Sequence, residues 1–83
     1  MVHDLKTLPE YFDAVAFGMK TFEVRKNDRD FKAGDTINLF EWYQGSYTGR
    51  KLTRYVSYIY YGDGTYGLPE GWCVMALKQG RII

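Results

Sequence analysis

The chain has 83 residues, a length typical of one domain, and a domain of this size buries only about 60–65% of its unfolded surface. Its formal net charge of +1 and pI of 7.8 argue against tight, non-specific binding to duplex nucleic acid, for which a pI above about 9 is typical. A single cysteine excludes an intramolecular disulfide, and the early charges and short apolar runs predict no signal peptide and no membrane span, so we expect a cytoplasmic domain over residues 1–83.

Aromatic residues make up much of the apolar content. The chain contains eight Tyr, five Phe and two Trp, and 46% of its residues are hydrophobic. Because aromatic side chains pack well on a pleated sheet, this composition favours β-structure over a helical bundle. Cys73 lies in an apolar run, which predicts a buried and unreactive thiol. We therefore expect a β-dominated α+β fold.

The chain begins with a strand pattern and continues with a helix pattern. Val2–Lys6 is a strand candidate, and Thr7 is the predicted helix N-cap with Glu10 as its reciprocal partner. Pro9 is tolerated in the first turn of a helix. The main helix is therefore expected near Leu8–Phe17.

Apolar residues at helical spacing predict that one stripe of this helix faces the core. Gly18 is expected to end the helix, because glycine takes a positive φ without a Cβ penalty. The stripe consists of Leu8, Tyr11, Phe12, Val15 and Met19.

The rest of the chain reads as strands joined by turns. Gln44–Gly49 is a predicted hairpin connection, and the tail Gln79–Ile83 either adds an edge pairing or frays. The order β-α-β-β-β-β favours a small barrel plugged by its helix, because closure removes exposed sheet edges. The predicted strands are Thr21–Lys26, Thr36–Tyr43, Arg50–Tyr61, which is the longest, and Trp72–Lys78, which is apolar and hence central.

Basic residues precede tyrosines in the longest of these strands. This pattern suits a stacking platform for single-stranded nucleic acid, but a small barrel also needs tyrosines at its core boundary, and we favour the second role. The residues concerned are Arg50, Lys51, Arg54, Tyr55, Tyr58, Tyr60 and Tyr61.

The segment that joins the helix to the next strand is the most informative. Phe22 and Val24 alternate with Thr21, Glu23 and Arg25, and Lys20 comes just before them, so four polar side chains are directed to one place. Arginine and lysine suit phosphate, and glutamate accepts a hydrogen bond from an exocyclic amine. Two other readings stay open: a solvated strand face, and an internal ion pair between Glu23 and a neighbouring cation.

The pattern Gly-x-Lys-x-x-Glu-x-Arg resembles the signature of the ASCH family. These small PUA-like domains are proposed to bind RNA and are grouped with the activating signal cointegrator. Nearly the whole chain is similar to a compact bacterial and phage subgroup of that family. The matching segments are His3–Lys6, Leu8–Phe12, Glu23–Phe31, Gly34–Asp35 and Tyr66–Gly71.

The resemblance implies a PUA-like pseudobarrel and a cleft that binds RNA or a nucleotide-like small molecule. The cleft is expected between the helix end and the barrel, with no cofactor and no metal. For the loop Lys26–Asp30, a solvated loop held by its own side chains is favoured over a cleft rim with Lys26 and Arg29 on phosphates. The expected ligand-binding residues are Lys20, Thr21, Glu23, Arg25, Lys26, Arg29 and Tyr66.

The alternative is a small amidohydrolase. Some ASCH-type proteins deacylate N4-acetylcytidine with a lysine of this motif, a threonine and a later glutamate. Lys20 matches that lysine, whereas Glu23 occupies the threonine position. Glu70 is the stand-in for the later glutamate. These departures favour a binding module over an enzyme.

Overall fold

The computed structural model describes residues 1–80, so the predicted pairing or fraying of the tail at Ile82 and Ile83 lies outside the described residues. Within residues 1–80 there are five strands, one α-helix and one short 3₁₀ turn, in the predicted order β-α-β-β-β-β. None of the helical segments in this part of the chain has the length and apolar character needed to cross a bilayer. The elements are β1 (Val2–Thr7), α1 (Pro9–Ala16), β2 (Phe22–Lys26), β3 (Thr36–Tyr43), β4 (Ser46–Tyr61), the turn Thr65–Gly67 and β5 (Trp72–Lys78).

All five strands form one sheet in the order β1-β3-β4-β5-β2. Strand β1 runs parallel to β3, and the other neighbours are antiparallel. Strand β5 lies between β4 and β2, which confirms its predicted central place. The two edge strands are β1 and β2, and α1 follows the first and precedes the second in the chain.

The sheet curls into a half-barrel, and register shifts in two strand pairs favour this curvature. One shift falls between Phe40 and Trp42 in the β3–β4 pair, and the other between Val56 and Tyr58 in the β4–β5 pair. Such irregularities bend a strand and increase its twist. The prediction of a β-dominated fold with one principal helix is therefore confirmed.

Helix α1 packs on β3, and the core lies beneath it. The predicted apolar stripe is narrower than expected, because only Phe12 and Val15 of the helix are buried while Leu8, Tyr11 and Met19 are exposed. The helix has only eight residues, so two turns carry its whole buried face. The core consists of Leu5, Phe12, Val15, Phe31, Ile37, Leu39, Val56, Cys73, Met75 and Leu77.

The start of α1 differs from the prediction. Leu8 is the N-cap and makes no capping hydrogen bond through its side chain. Thr7 is instead the last residue of β1, where it is buried and paired with Glu41. The prediction of Thr7 as N-cap is therefore wrong, because Thr7 pairs in the strand instead of capping the helix. Pro9 does lie in the first turn, as predicted.

Gly18 terminates α1 as predicted. Its φ is +78°, a left-handed conformation that glycine adopts without a Cβ penalty. The Gly18 N–H donates to the Val15 carbonyl at 3.1 Å, and the Met19 N–H donates to the Ala14 carbonyl at 2.9 Å. This pair of bonds is a Schellman motif, which satisfies the last carbonyls of the helix.

The β3–β4 hairpin is tighter than the predicted connection Gln44–Gly49. Strand β4 begins at Ser46 rather than Arg50, and Ser46 pairs directly with Tyr43. The two residues between them, Gln44 and Gly45, have φ of +49° and +85°. Positive φ at both positions is typical of a type I′ turn, whose twist matches that of the strands it joins.

Candidate functional site

A cleft of about 640 Å³ opens between the two edge strands. The end of β1, the start of α1, strand β2 and the loop after β2 form its walls, and Trp72 at the start of β5 also lines it. Five of the lining residues are basic and two are acidic. The basic residues are Lys6, Lys20, Arg25, Lys26 and Arg29, and the acidic residues are Glu23 and Asp28.

Glu23 is the centre of an ion-pair network in this cleft. It is only 3% exposed. Lys20 Nζ lies 3.1 Å from Glu23 Oε1, and Arg25 Nε donates to Glu23 Oε2 at 2.7 Å. A carboxylate withdrawn from water needs such partners, because an unpaired buried charge is strongly destabilising. The internal ion pair that the sequence left open is therefore present, and the reading of a solvated strand face is wrong.

Two arginines bridge the open side of the sheet. Arg25 Nη2 donates to the Lys6 carbonyl at 2.8 Å, and Arg29 Nη1 donates to the Asp4 carbonyl at 2.6 Å. These carbonyls belong to alternate residues of β1, the parallel edge strand, so they point away from β3. Guanidinium groups thus satisfy the acceptors that a sixth strand would otherwise pair. Side chains rather than a backbone ladder connect β2 and its loop to β1.

Strand β2 carries its polar side inward. Phe22 and Val24 are 45% and 43% exposed, while Glu23 between them is buried. Because α1 covers β3 and not β2, the inner side of β2 faces the cleft instead of the apolar core. The predicted alternation is confirmed, but its polar side is the inner one.

The loop after β2 holds its own backbone in place. Asn27 Oδ1 accepts a hydrogen bond from the Phe31 N–H at 2.8 Å, a local bond from side chain to backbone. Phe31 is buried, so this bond connects the loop to the core. Asp28 and Arg29 are exposed, and both line the cleft. The two alternatives for this loop are therefore both met: its backbone is held by its own side chain, and it lies at the rim of the cleft.

Five of the seven predicted ligand-binding residues meet in this cleft, and two do not. Thr21 is exposed and does not line it, although its carbonyl accepts from the Leu77 N–H at 2.8 Å. Tyr66 lines a separate cavity of about 520 Å³ beside Tyr60 and Leu68. Tyr66 is 91% exposed and has a φ of +56°. The residues brought together are Lys20, Glu23, Arg25, Lys26 and Arg29.

The cleft also contains residues that were not predicted from the sequence. Lys6 and Thr7 come from β1, Tyr11 from α1 and Trp72 from β5. Strand alternation places Thr7 on the inner side with Leu5, and this much is readable from the sequence. That these residues share one cleft with β2 depends on the order of the strands in the sheet, and no local pattern in the sequence indicates that order.

The buried residues His3, Asp35 and Cys73 are titratable and do not line the cleft. His3 Nε2 is 2.8 Å from Asp35 Oδ2, and both residues are buried. Burial raises the pKa of Asp35, but hydrogen bonds from His3, from the Lys32 N–H and from the N-terminal ammonium, together with the charge of that ammonium, outweigh it, and the pKa falls below its ordinary value. Burial, together with the charge of Asp28, raises the pKa of the Cys73 thiol.

Cys73 is 0% exposed, which confirms its predicted role as a buried hydrophobe. In the part of the chain from residue 1 to residue 80, no group of three or more His, Cys, Asp or Glu side chains is arranged to hold a metal ion.

Comparison with known proteins matches nearly the whole chain to one family. The family model described as "Domain of unknown function (DUF3850)" matches residues 2–77. A protein of Escherichia phage P2, described as "Uncharacterized 12.9 kDa protein in GpA 3'region", is 49% identical over 51 residues. That match covers 61% of this chain and 47% of the phage protein, so the chain matches about half the length of this relative.

Proposed function

This chain belongs to the DUF3850 family, and we propose that its cleft binds single-stranded RNA or a nucleotide-like small molecule without catalysing a reaction. One observation carries the proposal. A chain with a net charge of only +1 has five basic residues and only two acidic ones along one cleft. A concave site with an excess of positive charge concentrates an anionic ligand, which here is a phosphate-bearing one.

The cleft offers the donors that a phosphate group requires. Among the described residues, Lys26 is exposed and has no ion-pair partner, so its ammonium group is available to a ligand. The Lys6 ammonium has no ion-pair partner either, but it lies 4.0 Å from the centroid of the Trp42 ring. Arg29 donates one hydrogen bond to the Asp4 carbonyl, and a guanidinium has five N–H donors in all. The cleft volume lies within the range of about 300–1,000 Å³ that is usual for small-ligand sites.

Aromatic side chains supply the second element that a nucleotide needs. Tyr11 and Trp72 line the same cleft and are 46% and 39% exposed. A base stacked on such a ring contributes about 1–3 kcal/mol, and stacking is tolerant of base identity. Phosphate donors and rings in one cleft favour a nucleotide over a simple anion such as sulfate.

We further propose that the half-barrel is a form of the PUA-like pseudobarrel of ASCH domains. The curled five-stranded sheet, the single helix between its edge strands, and the position of the Gly-x-Lys-x-x-Glu-x-Arg segment in the cleft support this assignment. On this reading, the bridge from Arg25 and Arg29 to β1 takes the place of backbone closure.

No observation favours the amidohydrolase over the binding module. Glu70, the stand-in for the catalytic glutamate, does not line the cleft that contains Lys20 and Glu23. Lys20 is held in an ion pair by Glu23, an arrangement suited to a charged ammonium and not to a free amine acting as a base.

The proposal is tested by fluorescence anisotropy with a labelled oligouridylate at low salt. We expect Lys26→Ala and Arg29→Ala to weaken binding, and each lost phosphate contact to reduce the slope of log K against log salt by about 0.7. Lys78→Ala is the matched control, because Lys78 is exposed at the end of β5 and does not line the cleft. Equal weakening by all three variants, or no binding at low salt, would contradict the proposal.

A further inference from the structure

A second aromatic surface lies on the outer side of the β3–β4 hairpin. Trp42 pairs with Tyr47 across the two strands, and their rings meet edge to face at 4.8 Å between centroids. Phe40 packs against the same tyrosine at 6.0 Å. We call Phe40, Trp42 and Tyr47 the ring platform. Tyr47 is 57% exposed, which leaves its ring open to a stacking partner.

Two lysines flank the ring platform. Lys6 Nζ lies 4.0 Å from the centroid of the Trp42 ring, and Lys51 Nζ lies 5.7 Å from that of Phe40. Within the part of the chain that the structure describes, neither ammonium has a carboxylate partner. Their charges are therefore compensated only by aromatic rings and water, and a polyanion can engage both.

The ring platform is continuous with the cleft through a single residue. Lys6 lines the cleft, its carbonyl accepts from Arg25, and its ammonium lies over Trp42. Lys6 is also paired with Phe40 in the β1–β3 ladder, and Phe40 with Lys51 in the next ladder. Adjacent strands are about 4.8 Å apart, so cleft and platform lie within a few nucleotides of each other along one path.

We propose that the ring platform is a second subsite for single-stranded nucleic acid, on which bases stack after the strand leaves the cleft. This inference rests on the proposed function of the cleft and adds the direction in which the strand runs. A base that stacks on Trp42 replaces the Lys6 ammonium on that ring. The displaced ammonium then pairs with the neighbouring phosphate, and Lys51 does the same for the base near Phe40.

The two arginines of the basic and aromatic stretch in β4 are less suited to this role than Lys51. Arg50 is held by Glu41 at 3.2 Å and by Asp13 at 3.0 Å, and its guanidinium lies 4.5 Å from the Phe12 ring centroid. Arg54 donates to the Val15 carbonyl at 3.2 Å. These contacts attach β4 to α1, so the arginines that precede the tyrosines serve the fold.

The two tryptophans of the chain report on the two subsites separately, since Trp72 lines the cleft and Trp42 belongs to the ring platform. The Trp42→Phe variant keeps only Trp72 and reports on the cleft, and the Trp72→Phe variant keeps only Trp42 and reports on the ring platform. We would titrate both variants with uridine 5′-monophosphate and with an oligouridylate of about eight nucleotides, a length typical of small β-barrel sites. We expect both probes to change Trp72 fluorescence and only the longer one to change Trp42 fluorescence.

Affinity measurements with Tyr47 variants complete the test. Tyr47→Ala is expected to weaken binding of the oligouridylate about 10-fold or more and to leave binding of the mononucleotide unchanged. Tyr47→Phe keeps a stacking ring and should retain the affinity, which separates lost stacking from a misfolded hairpin. Polyglutamate is the control polyanion, because it carries charge without bases.

The outcomes distinguish this inference from the proposed function. If Trp72 responds to both probes while Trp42 responds to neither, the ring platform is refuted and the cleft stands. If Tyr47→Ala weakens the mononucleotide or polyglutamate as much as the oligouridylate, stacking on the platform is refuted as well. If Trp72 responds to neither probe, the proposed function fails and this inference fails with it.

Discussion

Replacing Glu23 by glutamine tests the central feature of the cleft. The substitution keeps the shape of the side chain and removes its charge, which leaves Lys20 and Arg25 without their carboxylate. Removing one partner of a fully buried ion pair costs about 3–5 kcal/mol. The cations here keep 20% and 28% of their side-chain exposure, so water compensates part of this loss, and the glutamine amide oxygen still accepts a hydrogen bond.

We therefore expect Glu23→Gln to lower the free energy of unfolding by about 2 kcal/mol. For a domain of this length, such a change corresponds to a decrease in Tm of about 8–16 °C. Denaturant unfolding followed by circular dichroism measures the first quantity, and thermal unfolding the second. The m-value should stay the same, because the variant unfolds from the same compact state.

The matched control is Asp30→Asn, which also removes one carboxylate charge from an ion pair. Asp30 and its partner Lys32 are 80% and 62% exposed, so water already solvates both groups and no measurable change in stability is expected. If Glu23→Gln unfolds at the same denaturant concentration as Asp30→Asn, the ion-pair network contributes nothing to stability and our reasoning about the cleft is wrong.

Three further predictions concern the helix end, the buried pair of His3 and Asp35, and the question of catalysis. Gly18→Ala should destabilise the protein by about 1–2 kcal/mol in denaturant unfolding, because alanine is strained at a φ of +78°, whereas Gly80→Ala, which needs no positive φ, should not. The ionised Asp35 carboxylate stabilises the protein at pH values above the ordinary carboxyl pKa of 3.8, because its pKa is lowered in the folded state. This stabilisation is lost as the pH falls through the lowered pKa. The Tm of Asp35→Asn should therefore depend less on pH in that acidic range than the Tm of the unsubstituted protein. Incubation with N4-acetylcytidine should release no cytidine by chromatography; release that disappears in Lys20→Ala, with the fold retained, would favour the amidohydrolase instead.

The sequence by itself determined the elements whose signals are local. The order of strands and helix, the end of the helix at Gly18, the apolar strand Trp72–Lys78 and the alternation along β2 all follow from the conformations of single residues and from the spacing of apolar positions. The clustering of charged side chains between Lys20 and Arg25 could also be predicted from the sequence, because a strand places alternate side chains on one side.

Only the tertiary structure decided which side of β2 faces inward, and it is the polar one. Local patterns assume that apolar side chains point to the core, but α1 covers β3 and leaves β2 beside a cleft, where ion pairs and water replace apolar packing. Thr7 became a strand residue for a related reason, since pairing with Glu41 in a neighbouring strand competes with a capping bond. The order of the strands brought Lys6 and Trp72 to the cleft and left Tyr66 in another cavity. That order depends on contacts between residues far apart in the chain, and no short stretch of sequence specifies them.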